Sequence, residues 1–179
     1  GSDVSSLETT ISYDPDAGDF VVHSPHESSA KTYIGNAAAH GQLAAVFGQL
    51  VVDGVQHGVH CILVPIRDEL GAVLPGVTIG DNGHKGGLLG VDNGWISFDS
   101  VRVPRDLLLD RFGSVNETGR YHSSIENPNR RFFSMLGALV RGRICIGGGA
   151  AVATRRALSI ATRYADRRTQ FRHPGTDDE

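Results

Sequence analysis

By type and spacing, four groups of residues in this chain could do chemistry: paired histidines, a glycine-rich run with a lysine, two cysteines and a crowd of arginines. His57 and His60 in HGVH, and His23 and His26 in HSPH, have the short separation of metal ligands. Both pairs fall in stretches that read as strands, where residues three apart point to opposite faces, and no carboxylate follows at useful spacing, so no metal site is expected. GDNGHKGG at 80–87 has the look of a phosphate loop. A P-loop, however, needs its lysine followed by Ser or Thr at a helix start, whereas Lys85 precedes Gly86 and Gly87, so a loop between strands is expected. Cys61 and Cys145 lie far apart in no spaced cluster, which argues against a disulfide framework or zinc site and reads as two buried thiols. There is no GxSxG and no cysteine in a nucleophile motif, so hydrolase chemistry is unsupported and no catalytic residue is assigned.

The arginines need another explanation. Of 17 basic residues only Lys31 and Lys85 are lysines, and Arg141, Arg143, Arg155, Arg156, Arg163, Arg167, Arg168 and Arg172 crowd the last third. A net charge of −3 and a pI near 6.2 give no general reason to expect nucleic acid or an anionic membrane as partner. The arginines also lie among apolar residues without the interleaved aromatics that stack bases, so neither nucleic acid nor membrane is expected to bind.

The elements that must carry these residues divide in two. With 179 residues, 40% hydrophobic and 21% charged, the chain can bury a core and fits one domain or one domain plus part of another. From Leu7 to about Leu109, short β-branched and aromatic runs alternate with turn residues. The run at 7–13, the turn at 14–18 and the run at 20–23 read as a β-hairpin, and runs at 44–52, 59–66, 73–79 and 95–103 repeat the style. Sequential strands without helices between them mean a sandwich or barrel. Residues 112–128 read as a polar connection, and Asn129 as the cap of a helix beginning there. From Arg130 to about Arg168 there is no proline, and Phe133, Leu136, Val140, Ile144, Ala151, Leu158 and Ala161 approximate helical spacing, so one long helix is expected. A break at Gly147, Gly148 and Gly149 is the alternative. Pro174 and Gly175 end the helical pattern, and Asp177, Asp178 and Glu179 form an acidic tail. A lone helix cannot bury its apolar stripe on itself, so the chain reads as a piece cut from something larger. No run approaches the roughly 18 apolar residues of a membrane span and no signal-like segment opens the chain, so it reads as soluble and intracellular.

Four motifs in order carry the most information: KTYIGNA at 31–37, VPIRDELGAVLPGVTIGDNGHKGG at 64–87, VDNGWISFDSVRVPRDLLL at 91–109 and YADRRTQF at 164–171. Together they resemble the acyl-CoA oxidase branch of the acyl-CoA dehydrogenase superfamily, over nearly the whole chain, beginning with GSDV at 1–4. The resemblance implies a fold that is mainly β with α. Residues 1–118 would be the middle β-barrel domain, and 119–179 the connection and first helix of an incomplete C-terminal helical bundle. It also implies FAD as cofactor, acyl-CoA as substrate, trans-2-enoyl-CoA as product and a homo-oligomer, dimer or higher. The location implied is cytoplasmic for a bacterial protein and peroxisomal for a eukaryotic one.

Residue by residue, Tyr33 falls where the family sets an aromatic, often tryptophan, against the flavin ring, and the tyrosine departs from that commoner pattern. Gly35 falls where a small residue or threonine lies beside the flavin, and its missing side chain permits close backbone approach. Arg168, Gln170 and Phe171 match the segment that contacts the pyrophosphate and adenine end of FAD, typically on the neighbouring subunit. An arginine fork suits phosphate oxygens. Arg143 matches an arginine lining the acyl-CoA channel. Strand packing for Tyr33, solvation of a basic helix end for Arg168, and a packing or salt-bridge role for Arg143 are the plainer alternatives. The family's threonine-bearing flavin segment precedes Gly1, and the usual base lies in the later bundle. Where some relatives carry a glutamate on the first bundle helix, this chain has Val140, Arg141, Gly142 and Arg143, with no carboxylate. The chain alone is therefore expected to be inactive. Two other readings stand beside the oxidase: a dehydrogenase passing electrons to a flavoprotein, and a non-catalytic β-barrel assembly module.

Overall fold

The structure is a computed structural model, and it describes residues 3–171 and Gly175. Of the features read from the sequence, Gly1, Ser2, Arg172, Pro174 and the acidic tail lie outside the described residues. The chain divides into two compact units, Gly1–Met135 and Leu136–Glu179, and residues 119–135 are thus counted with the strands.

The first unit is built from strands whose side chains alternate between core and surface. The first hairpin joins β1 (Thr10–Asp14) to β2 (Asp19–His23), with Ile11 opposite Val22 and Tyr13 opposite Phe20. The turn closes because the Asp14 carboxylate accepts hydrogen bonds from the N–H groups of Asp16 and Ala17. After β3 (Lys31–Gly35), the long pair β4 (Leu43–Val52) and β5 (Val55–Pro65) comes next, then β6 (Val77–Asp81), β7 (Asn93–Phe98) and β8 (Val101–Pro104). Hydrogen bonding arranges these strands in a five-stranded sheet, β5-β4-β1-β2-β8, and a three-stranded sheet, β3-β7-β6. The run expected as one strand over 95–103 is two, broken at Ser100, whose φ is +53°. That corner moves the chain from one sheet to the other.

Both sheets face a single apolar core, in which Ile11, Phe20, Leu50, Ile62, Val64, Ile96, Phe98 and Val103 are almost wholly buried. At one seam the Ser24 N–H donates to the Phe98 carbonyl (2.7 Å) and the Ser24 hydroxyl accepts from the Phe98 N–H (3.2 Å), continuing the bonding from the β2 end onto β7. This is the expected β-barrel with its ladder divided between two sheets.

The connection carries a small ladder, β9 (Ser114–Val115) with β10 (Tyr121–His122), and then α1 (Pro128–Leu136). The cap of α1 is Asn127 rather than Asn129: its side-chain oxygen accepts from the Arg130 N–H at 3.0 Å. Pro128 then takes the first helical position, where its missing N–H has no consequence.

In the second unit a single 3₁₀ turn, Gly137–Leu139, precedes α2 (Val140–Arg167). The interruption of the long helical stretch therefore falls at 137–139, and Gly147, Gly148 and Gly149 lie inside an unbroken helix, although each glycine disfavours it by about 1 kcal/mol relative to alanine. α2 buries none of its residues, and Ile144, Ile146, Leu158 and Ile160 are all more than 60% exposed. Cys145, on this helix, is exposed, whereas only Cys61 is a buried thiol. Among the described residues, no single helix is long and apolar enough to cross a membrane.

Candidate functional site

β3 is the least regular strand of the first unit, and it holds Tyr33 and Gly35. It pairs with β7 through Lys31 opposite Ile96 and Gly35 opposite Asn93, with a register shift between Lys31 and Ile34. Within that shift Tyr33 has φ +56°, and just past the strand Asn36 has φ +61°. Left-handed backbone at a tyrosine disfavours the fold by roughly 1–3 kcal/mol and persists only where the surroundings impose it, whereas asparagine enters that region more readily. The result is an aromatic ring turned outward, with Tyr33 67% exposed. Gly35 is also exposed, and a Cβ placed on it would meet no atom within 4 Å. Neither backbone conformation nor packing requires glycine there, so its backbone is left bare beside the exposed tyrosine. That is the surface a planar ring could approach closely.

Next to this edge, the outward face of the three-stranded sheet forms a cleft of about 490 Å³ lined by Glu27, Ala30, Thr32, Thr78, Trp95 and Ser97. The Trp95 indole lies across the backbone of Gly80, where any side chain would collide with it. Lys31, at the start of β3, lines a second cavity of about 480 Å³ with Ser28, Ser29 and Phe47. Burial pushes its ammonium down to about 8 and pushes the Cys61 thiol up to about 11.

Two charged residues shape the turn at 36–41 that follows β3. The buried Arg67 guanidinium donates to the carbonyls of Ala37 (2.7 Å), Ala38 (2.8 Å) and Gly41 (2.8 Å). Asp92 accepts from the N–H groups of Ala38 (3.0 Å), Ala39 (3.1 Å) and His40 (3.1 Å), and from the His40 ring at 3.1 Å. Partial burial works against the Asp92 charge, but these donors outweigh it and hold the carboxyl below its ordinary range. Both residues lie within the family-like motifs, in VPIRD and VDNG. Their roles had no signal in spacing, because they act on a turn at least 26 positions away from Arg67 and 52 from Asp92.

The remaining candidates lie in the second unit. Arg143 is exposed on α2. Arg168 follows the helix in extended conformation (φ −91°, ψ 99°), its N–H donating to the Tyr164 carbonyl. Gln170 is exposed, and Phe171, at φ +67°, is 88% exposed. Thus Tyr33 and Gly35 stand together on one strand, and Arg168, Gln170 and Phe171 stand together at the end of α2.

His57 and His60 do not point to opposite faces as strand alternation predicts. Gly58, at φ +80°, and a register shift in the β4–β5 pairing between Gln49 and Val51 turn both imidazoles toward Tyr121. The His57 ring stacks on Tyr121 with centroids 3.9 Å apart, and His60 Nε2 lies 3.1 Å from the Tyr121 hydroxyl. The buried Arg131 closes the group, donating to the carbonyls of His57 (2.7 Å) and Ile125 (3.0 Å). This cluster ties the connection to β5. Burial pushes the His60 imidazole down to about 4, so it is neutral at ordinary pH.

Comparison with known proteins places this geometry. No protein-family model matches the chain. It is 48% identical over 171 residues to the acyl-coenzyme A oxidase-like protein of Mus musculus, covering 96% of the chain and 27% of that protein. It is 46% identical over 181 residues to the peroxisomal acyl-coenzyme A oxidase 2 of Arabidopsis thaliana, covering 97% of the chain and 26% of that protein. The solved structure of Arabidopsis thaliana acyl-CoA oxidase 1 matches the whole chain with a TM-score of 0.83 at 36% identity, over 27% of that structure. Acyl-CoA oxidase-1 of Caenorhabditis elegans, solved in complex with FAD and ATP, matches 99% of the chain with a TM-score of 0.76 at 33% identity, over 25% of that structure. A β-barrel followed by a long helix, with this sequence, belongs to the acyl-CoA oxidase family. The chain spans about a quarter of the length of the relatives it matches.

Proposed function

We propose that the chain works within a longer FAD-dependent acyl-CoA oxidase, which converts an acyl-CoA to the trans-2-enoyl-CoA with oxygen as electron acceptor. The observation that carries this reading is the unbroken similarity to acyl-CoA oxidases along nearly the whole chain, joined to the bare Gly35 and outward Tyr33 at the strand where a flavin would lie. Within that protein, residues 1–118 are the middle domain, and 119–179 the connection and first helix of the helical domain.

The residues present fit the cofactor. Tyr33 offers an aromatic face, and Gly35 lets a ring approach the backbone. Arg168 offers a planar fork for pyrophosphate oxygens, Gln170 a polar contact and Phe171 an exposed ring for adenine. FAD, when bound, supplies the acceptor for the hydride leaving the acyl β-carbon. The base that takes the α-proton is not among these residues: the positions at 140–143 carry no carboxylate, and Arg143 is assigned to the acyl-CoA channel. The two FAD-binding groups sit in different units of the chain, and a homo-oligomer in which each subunit completes its neighbour's site would unite them. A eukaryotic host would place the enzyme in peroxisomes, the compartment in the name of the Arabidopsis relative.

The test is to assay the complete protein with acyl-CoA thioesters under air, following hydrogen peroxide against reduction of an artificial dye. Peroxide formation stoichiometric with enoyl-CoA is expected. Dye reduction without peroxide would make it a dehydrogenase, and neither would leave the assembly-module reading.

A further inference from the structure

The turn at 36–41 has every one of its N–H groups bonded. Asn36 donates to the Asp92 carbonyl (2.9 Å), Ala37 to the Ile34 carbonyl (3.3 Å) and Gly41 to the Asn36 carbonyl (2.5 Å), while Ala38, Ala39 and His40 donate to the Asp92 carboxylate. Three of its carbonyls, those of Ala37, Ala38 and Gly41, accept from Arg67. A cation therefore gathers the carbonyls and an anion gathers the amides of one short turn. Among the described residues Arg67, 7% exposed, forms no ion pair, and its guanidinium bonds only to this turn. Such investment exceeds what a surface reversal needs, since ordinary turns close with one backbone bond and a small polar side chain. What the clamp adds is a fixed exit for β3. With Asn36 tied to Asp92 and Ala37 buried, the strand cannot relax into a regular ladder, and the left-handed Tyr33 and Asn36 on either side of Gly35 are held where they are.

We infer that Arg67 and Asp92 are positioning residues for the flavin: by clamping the turn at 36–41 they hold Tyr33 outward and Gly35 bare in the shape that receives the ring. The inference rests on the flavin reading above. The side chains of both residues are committed to the turn at 36–41. They act through the backbone, as supporting groups orient a site that others form.

The experiment uses the complete flavoenzyme, stripped of FAD and reconstituted. Arg67→Lys keeps the charge but cannot fork three carbonyls, and Asp92→Asn removes the negative charge and half of its accepting capacity. Each is expected to weaken FAD binding by about tenfold or more and to alter the visible circular dichroism of the bound flavin, while the apoprotein melts within a few degrees of the unaltered protein. Unchanged FAD affinity and dichroism, with a lowered melting temperature, would show that the clamp only stabilises the fold and overturn the inference. Should either variant fail to fold, it is remade with Asn36→Gly, which relieves the left-handed backbone without restoring the clamp. A folded double variant is still expected to bind FAD weakly, and one that binds it normally would equally overturn the inference. Gly35→Leu, made alongside, separates the two layers. If it leaves FAD binding intact, the flavin is not at β3 and both readings fall. If it abolishes binding while the clamp variants do not, only the role of Arg67 and Asp92 falls.

Discussion

Two glycines show how differently the same residue type can be used. Gly76 has φ +77°, and a Cβ there would stand 2.7 Å from the Asp99 carbonyl oxygen, whereas a Cβ on Gly35 meets nothing. Gly76→Ala should therefore lower stability by about 1–3 kcal/mol, while Gly35→Ala should leave it unchanged or raise it by a few tenths, through reduced freedom of the unfolded chain. Thermal melts of the two variants should move in opposite directions or show Gly35→Ala standing still. At the other end of the proposed cofactor, Arg168→Ala is expected to lower FAD retained by the purified complete protein severalfold with little change in apoprotein stability, because Arg168 is exposed. Flavin content that did not change would remove Arg168 from the dinucleotide end. The sequence showed Tyr33, Gly35, Arg168, Gln170 and Phe171 only through motif resemblance. No periodicity distinguishes them from a strand aromatic or a solvated helix end. Arg67 and Asp92 were within view, but what they do depends on a chain reversal that brings residues far apart in sequence within hydrogen-bonding distance.

At the scale of elements, the join between β5 and the connection depends on a neutral histidine. His60 is fully buried, accepts or donates at Tyr121, and has its pKa lowered from 6.5 to about 4, by burial first and the neighbouring Arg131 charge after the opposing bond to Gly58. The unfolded chain then binds more protons than the folded one between those values, so stability is full above about 6.5 and is lost as pH falls toward 4. The loss across that window should be on the order of 2–3 kcal/mol, and His60→Gln, which can still bond the Tyr121 hydroxyl but does not titrate, should flatten much of the slope in denaturant unfolding series. His57, lowered by burial and then by Arg131, acts in the same direction. Strand existence was legible from alternation, and so were the hairpin and the long helical stretch. The bulge at Gly58 was not, because alternation assumes an unbroken ladder, and neither was the turn at 137–139, where the sequence offers the same glycine signal that α2 absorbs at 147–149. Asn127 is harder to see as the cap than Asn129, because the proline between them serves equally well to end a connection or to open a helix.

For the whole molecule, α2 leaves Ile144, Ile146, Val152, Leu158 and Ile160 open to solvent, and exposed apolar surface of this kind favours association. The chain expressed alone is expected to self-associate, with light scattering giving a mass that rises with concentration, and substitution of Ile144 and Ile160 by serine should reduce it. A monodisperse monomer at all concentrations would count against this. The same chain with added FAD should not turn over an acyl-CoA, since general-base catalysis contributes about 10²- to 10⁴-fold and no candidate base is placed at 140–143. An anaerobic titration bleaching added FAD faster than a protein-free control would contradict it. Finally, the indole that lies across Gly80 is the chain's single tryptophan. All tryptophan emission from these residues thus originates at one spot, on the sheet face that adjoins Tyr33 and Gly35 through Thr32. Flavins absorb where indoles emit, so in a complete protein that keeps Trp95 as its one tryptophan, quenching of that light would report whether a yellow cofactor has settled nearby.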